Sequence, residues 1–180
     1  MAVGTDNAAV VVGCGIPYIA TVGTSFPTIT GTLAGSITWT SFTKIGNTEN
    51  EFKIKIETVY DEAKFAGQIS ESLDNTTIKR ISGQFMLSQS DADALNLVLA
   101  NSSISSAVVS DGGTTAPTYW QLGIEAKLSV WQIQKVLFNI EDEITLDDEK
   151  RILIPVSFKG RLYTSATAGQ QLWRCHERTA

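Results

Sequence analysis

Trp120-Gln121-Leu122-Gly123-Ile124-Glu125-Ala126-Lys127-Leu128-Ser129-Val130 alternates apolar and polar residues from end to end. That period of two is the signature of a strand with one face in a core, and this stretch predicts an unbroken strand whose polar face meets water or a wet lumen. Phe52-Lys53-Ile54-Lys55-Ile56-Glu57 repeats the pattern, and Ile78 to Leu87 does so again with Ile81, Phe85 and Leu87 facing inward. Further strands are expected from Gln134 to Ile140, from Ile152 to Leu162 and around Leu172 to His176, with Pro155 marking an edge or a bulge. A weaker β-prone run, Thr32 to Ile45, ends at the Gly46-Asn47 turn.

Two segments break the rhythm. Asp61 to Thr77, with Gly67 and the Asp74-Asn75 turn signal, reads as a protruding acidic loop. From Ser88 the period changes: Ser88 with Asp91 and Ser90 with Asp93 form overlapping caps ahead of Leu95, Val98 and Leu99, which predicts one helix near residues 90–100. Asn101 to Pro117, with Asp111-Gly112-Gly113, reads as a long loop, and Glu141 to Lys150 as an acidic tip between strands. The expected class is therefore α+β: mainly antiparallel β, as two packed sheets or an open barrel, with one flanking helix and an extended arm and loop. Residues 1–35, poor in charge and rich in Gly, Thr and Ala, are expected to be an N-terminal arm lying on another surface, and residues 36–180 the β domain.

Composition narrows function. The chain has 180 residues, 14 Lys plus Arg against 19 Asp plus Glu, a formal charge of −5, two cysteines and one histidine. This balance does not indicate a basic nucleic-acid-binding face. Met1 to Ala20 lacks the cationic start of a signal peptide, and its apolar run is too short to span a bilayer, so neither targeting nor membrane insertion is expected. Without a secretory route the sequons at Asn75 and Asn101 carry little weight, and Cys14 and Cys175 read as two thiols.

The chemical motifs fall short. Gly13-Cys14-Gly15-Ile16-Pro17-Tyr18 opens like a dinucleotide fingerprint, but Tyr18 replaces the third glycine and no amphipathic helix follows. Cys175-His176 offers two soft ligands where zinc needs three or four, and adjacent strand residues point to opposite faces, so His176 would aim away from Cys175 as a base. The acids of Glu141 to Glu149 lack the glycine of an EF-hand loop and read as a solvated tip open to adventitious divalent cations. Trp39, Trp120, Trp131 and Trp173 suit interface anchors or core residues. No enzyme, metal or cofactor is expected.

The order of pieces resembles a known family. Trp39-Thr40-Ser41-Phe42-Thr43-Lys44-Ile45-Gly46, then Asn47 to Asn50, the strand to Glu57 and its acidic loop, Ser82-Gly83-Gln84-Phe85-Met86-Leu87-Ser88-Gln89-Ser90 leading into Ala92 to Leu95, Gln134 to Asn139, and Arg151 to Lys159 together resemble the major tail tube proteins of long-tailed (siphovirus-type) bacteriophages. The resemblance covers roughly residues 32–162. It implies a structural virion protein, made in the bacterial cytoplasm, that assembles as homo-hexameric rings stacked into a hollow tube. Its partners would be a tape measure protein and the tail terminator and distal tail proteins, with DNA passing through the lumen without specific binding. Tyr60, Asp61, Phe65, Ile69 and Leu73 in the loop and Ile16, Tyr18 and Phe26 in the arm are then candidates for contacts between subunits. Lys53, Lys55, Glu57, Glu125 and Lys127 are candidates for the lumen wall. Two alternatives are a tube protein of a contractile tail or secretion apparatus, and a monomeric β-sandwich binding module using Trp120 or Trp131 as a platform.

Overall fold

A computed structural model describes residues 2–11, 15–29, 37–46, 48–64, 72–88, 102–105, 108–111, 117–140, 153–166 and 171–178. All regular structure among these residues is β, in eleven strands. They are β1 (Ala2–Val11), β2 (Ile16–Thr21), β3 (Thr43–Lys44), β4 (Thr48–Lys64), β5 (Ser72–Leu87), β6 (Ser102–Ser105), β7 (Val108–Asp111), β8 (Trp120–Glu125), β9 (Ser129–Ile140), β10 (Ile154–Gly160) and β11 (Trp173–Glu177). The expected α+β class is thereby corrected to all-β: the described residues contain no helix, and nine strands belong to one antiparallel sheet that does not close. The stretch expected to be helical, residues 90–100, lies outside the described residues, as does the acidic tip at 141–150.

The sheet runs β1-β4-β5-β10-β9-β8-β2-β3. Strand β9 is shared along its length, with β11 beside Ser129 to Ile133 and β10 beside Val136 to Ile140. The sheet folds over on itself, so that one apolar cluster joins Ile19 of β2, Phe52 and Ile54 of β4, Leu122 and Ile124 of β8 and Phe138 of β9. Where the two ends approach, the Thr48 hydroxyl donates to the Gly15 carbonyl; beside it, at the β2–β3 end, the Ile45 N–H donates to the Pro17 carbonyl at 3.2 Å. A row of phenylalanines crosses four strands inside the fold. Phe52 stacks on Phe85 at 4.5 Å, Phe85 meets Phe138 edge-on at 6.4 Å, and Phe158 lies opposite Phe138 in the ladder. Ring pairs of this geometry add to the burial of apolar area, which is the main stabilising term.

Several expected boundaries change. The strand from Trp120 breaks at Ala126 to Leu128, where the Ala126 N–H donates to the Ser129 carbonyl at 2.9 Å and the chain reverses into β9. The acidic loop from Asp61 to Thr77 is mostly strand: β4 runs on to Lys64 and β5 begins at Ser72, making a hairpin of 17 and 16 residues. Asn101 to Pro117 contains the β6–β7 hairpin. Strand β10 is interior, with Pro155 opposite Met86 of β5 and one residue before Val156, where the described pairing with β9 begins. The N-terminal stretch itself contributes β1, paired with β4 over ten residues, and β2, paired with β8.

Gly83 shows how tightly these layers fit. It lies opposite Phe158 in the ladder, and a Cβ there would stand 2.6 Å from the Phe158 ring and press on the Lys53 carbonyl. Gly83→Ala should therefore destabilise the fold by about 1–3 kcal/mol, the usual cost of overpacking, seen as a lower urea midpoint with an unchanged slope; an unchanged midpoint would contradict this packing.

Candidate functional site

The polar side of β8 is dry. Gln121 is 2% exposed and Gln132 of β9 is 0% exposed, although sequence alternation assigned this side to water. What covers it is the described part of the chain between β2 and β3, residues 22–29 and 37–42, which packs over this side as a strap. Gly23, with φ of 100°, permits the turn that starts it, closed by the Thr24 N–H donating to the Thr21 carbonyl at 3.2 Å. From the strap, Trp39 and Phe42 pack with Ala20 and Val130 into a second apolar cluster, with Tyr18, Phe26, Ile29 and Ile37 against it.

Trp39 anchors the strap. Its ring lies on Gly123, where any side chain would occupy the indole's place, and stacks on Tyr18 at 4.8 Å with an interplanar angle of 10°. The Trp39 Nε1 donates to Glu125 Oε2 at 2.9 Å, and Arg178 Nη1 donates to Glu125 Oε1 at 3.1 Å. Glu125 and Arg178 side chains are 11% and 15% exposed, so the ion pair is largely removed from water. Such a pair holds because both charges keep hydrogen-bond partners, and Arg178 also donates to the Ala126 carbonyl at 3.0 Å. Gln132 Nε2 fastens the strap a second time, donating to the Pro27 carbonyl at 3.0 Å, while its Oε1 accepts from Arg174. Burial and then the Glu125 charge push the Tyr18 hydroxyl above its ordinary value.

The residues named from sequence separate into three groups. Tyr18 and Phe26 are spent largely on the strap, Phe26 meeting Phe42 at 5.0 Å, and Glu125 is an internal partner rather than a wall residue. Ile16 is exposed on β2, and Lys127 is exposed in the β8–β9 turn. Tyr60 and Asp61 lie in the far half of β4 and Leu73 near the start of β5, while Phe65 and Ile69 lie outside the described residues. Lys53, Lys55 and Glu57 do share one face of β4, as the alternation requires, and Glu57 approaches Arg80 of β5 at 4.0 Å. Trp39 and Trp131 are core residues; Trp131 donates to Ser129 Oγ at 3.1 Å and packs on Trp173 at 5.4 Å.

No nucleophile or metal centre is assembled among the described residues, where no three His, Cys, Asp or Glu side chains converge. Cys175 is exposed on β11, yet desolvation of its thiol and then Glu177 hold its pKa above the ordinary thiol value, which disfavours the reactive thiolate. His176 is pushed down, first by burial and then by Arg174, and its Nε2 is buried without a hydrogen-bond partner.

The uncovered backbone is the more distinctive feature. Among the described residues no strand pairs with the second edge of β1, and β5 meets β10 only through Ser82 to Leu87, leaving Ser72 to Ile81 with β4 alone. Among the described residues, both edges of the three-stranded ribbon β1-β4-β5 thus carry N–H and C=O groups with no strand partner over about ten residues each. No protein-family model matches the chain, and no curated protein matches it either.

Trp39→Phe deletes the hydrogen bond to Glu125 together with the benzo-ring atoms seated on Gly123, so it should cost about 1.5–3 kcal/mol; Trp39→Ala should cost about 3–5 kcal/mol. Urea unfolding checks both, and an unchanged midpoint for Trp39→Phe would contradict a contribution from the hydrogen bond and the indole seat.

Proposed function

We propose that this chain is a structural protein that assembles head to tail with copies of itself, as the tube protein of a long-tailed phage does. The observation that carries the reading is the β1-β4-β5 ribbon, neither edge of which pairs with another strand among the described residues. Strand β1 contains Asp6 as its single charged residue and neither Lys nor Pro, so nothing in it blunts pairing with another chain. An uncovered edge at each side of one ribbon suits a heterologous contact, in which β1 of one copy pairs with β5 of the next, and such contacts close into a ring when the rotation allows. The resemblance of residues 32–162 to tail tube proteins supplies the count of six, the stacking of rings and the partners: a tape measure protein, and terminator and distal proteins at the two ends of the tube. No catalytic step belongs to this reading.

The alternatives differ in what they ask of the ribbon. A contractile-tail or secretion tube would use it in the same way and would differ by association with a sheath. A monomeric binding module would leave both edges bare and would find Trp131 unavailable as a platform, since that ring is 5% exposed.

Successive residues of an antiparallel strand aim their N–H groups to opposite sides, so of Ala8→Pro and Ala9→Pro one removes a donor from the β4 ladder and the other a donor from the free edge. The edge variant should retain the unfolding midpoint of the parent chain and fail to form rings or tubes in negative-stain electron microscopy. Normal assembly by both proline variants would overturn the β1 contact.

A further inference from the structure

Strand β11 pairs with β9 alone among the described residues. Register places Ile16 of β2, Glu125 of β8, Val130 of β9 and His176 of β11 in one row across the sheet. Val130 belongs to the cluster that the strap makes with Trp39 and Phe42, so the imidazole stands beside that apolar cover. The first residue of β11, Trp173, is anchored on Trp131 at 5.4 Å. The far end is held by Arg178, whose N–H donates to the Leu128 carbonyl at 2.9 Å and whose Nη1 donates to the Ala126 carbonyl and to Glu125. Through Glu125 these bonds continue to Trp39 and the strap.

His176 Nε2 is enclosed without a hydrogen-bond partner. A neutral imidazole can leave that nitrogen as a bare lone pair and carry its proton on Nδ1. The imidazolium cannot: both ring nitrogens then bear N–H groups, and one is a charged donor with nothing to donate to. Its charged neighbours add to this cost. On β11 the same face carries Arg174 and Arg178, two residues to either side, while Cys175 and Glu177 alternate to the other. β9 contributes Val130 and Gln132, which do not titrate, and β8 contributes Glu125, already engaged by Arg178 and Trp39. β2 brings Ile16 and, one row further, Tyr18. The described strap residues, 22–29 and 37–42, contain no charge. Among the described residues, a protonated His176 thus puts three cations on one strand face before a single, committed carboxylate. The chain has no other histidine, so this is its only imidazole able to change charge near neutral pH.

We propose that the C-terminal end of β11 is an acid-released latch on the strap: protonation of His176 detaches residues 175–178 from β9 and withdraws Arg178 from Glu125. The inference stands apart from the tube reading. Opening bares the β9 edge from Ser129 to Trp131 and cuts the strap's link to the C-terminal residues, while Trp173 stays seated on Trp131. The sign follows from linkage. Burial and then Arg174 hold the imidazole below its ordinary value in the closed latch, so the closed form binds the proton less well than the open one. Above the ordinary value the latch stays shut; as pH falls from there toward the lowered value, opening is favoured.

The experiment is NMR of the dilute full chain, titrated from about pH 7.5 to about pH 4.5. The one imidazole gives one titrating Cε1–H signal, whose midpoint should lie below the ordinary value of about 6.5. The Arg178 amide and the Trp39 indole N–H should shift with that same midpoint. Exchange protection of the Arg178 amide, corrected for the intrinsic rate, should fall about tenfold across it, while that of Phe138 in the middle of the sheet changes little. His176→Gln should remove the shared transition. His176→Arg, a permanent cation, should show the open pattern already at the highest pH; if it does not fold, the parent chain and His176→Gln still decide. An imidazole midpoint at or above the ordinary value would overturn the proposal, as would titration of His176 that leaves Arg178 and Trp39 unmoved. So would the same acid transition in His176→Gln, which would assign the response to a carboxylate such as Glu125.

Discussion

The seat of Trp39 on Gly123 governs how the two sides of the sheet are used. A glycine in the middle of β8 leaves a flat place on a face that otherwise carries Gln121 and Glu125, and the indole fills it while its N–H neutralises the need of Glu125 for a donor. Arg178, from the last described strand region, completes the carboxylate's shell. One aromatic ring thus joins the strap, the middle of the sheet and the C-terminal residues, and lets polar groups be buried with partners rather than exposed.

Much of the β pattern was legible. The alternations in Phe52 to Glu57 and Ile78 to Leu87 give the correct inward sets, since Phe52, Ile54, Ile81, Phe85 and Leu87 are all in the main cluster. Alternation states which residues share a face; it does not state what lies on that face. Gln121 and Glu125 look like solvent residues because their cover is contributed by Trp39 and Phe42, some eighty residues away in an irregular segment with no period to betray it. Gly123 was the available signal: an isolated glycine inside a strand pattern marks a close approach by another part of the chain. The break at Ala126 carried no glycine, proline or asparagine and could not be distinguished from a continued strand.

The far end of the long hairpin was misread for a related reason. Asp61, Glu62 and Asp74 are poor strand formers, and the run has no apolar alternation. Strand formation there is dictated by neighbours, with β1 pairing ten residues of β4 and β5 pairing along the full length. The candidate contact residues drawn from a supposed loop consequently sit partly on strands, which changes the kind of contact they can support from side-chain docking to backbone pairing.

The central claim is that the ribbon edges are closed by another copy. Amide hydrogen exchange, read by mass spectrometry on the dilute chain and on its assembled form, tests it most directly. The account predicts that outward amides in Ala2 to Val11 and Ser72 to Ile81 exchange rapidly in the dilute chain and become protected on assembly, while Ser82 to Leu87, already paired on both sides, changes little. Assembly that leaves the exchange of both edges unaltered, or protection confined to the strap and its surroundings, would contradict it.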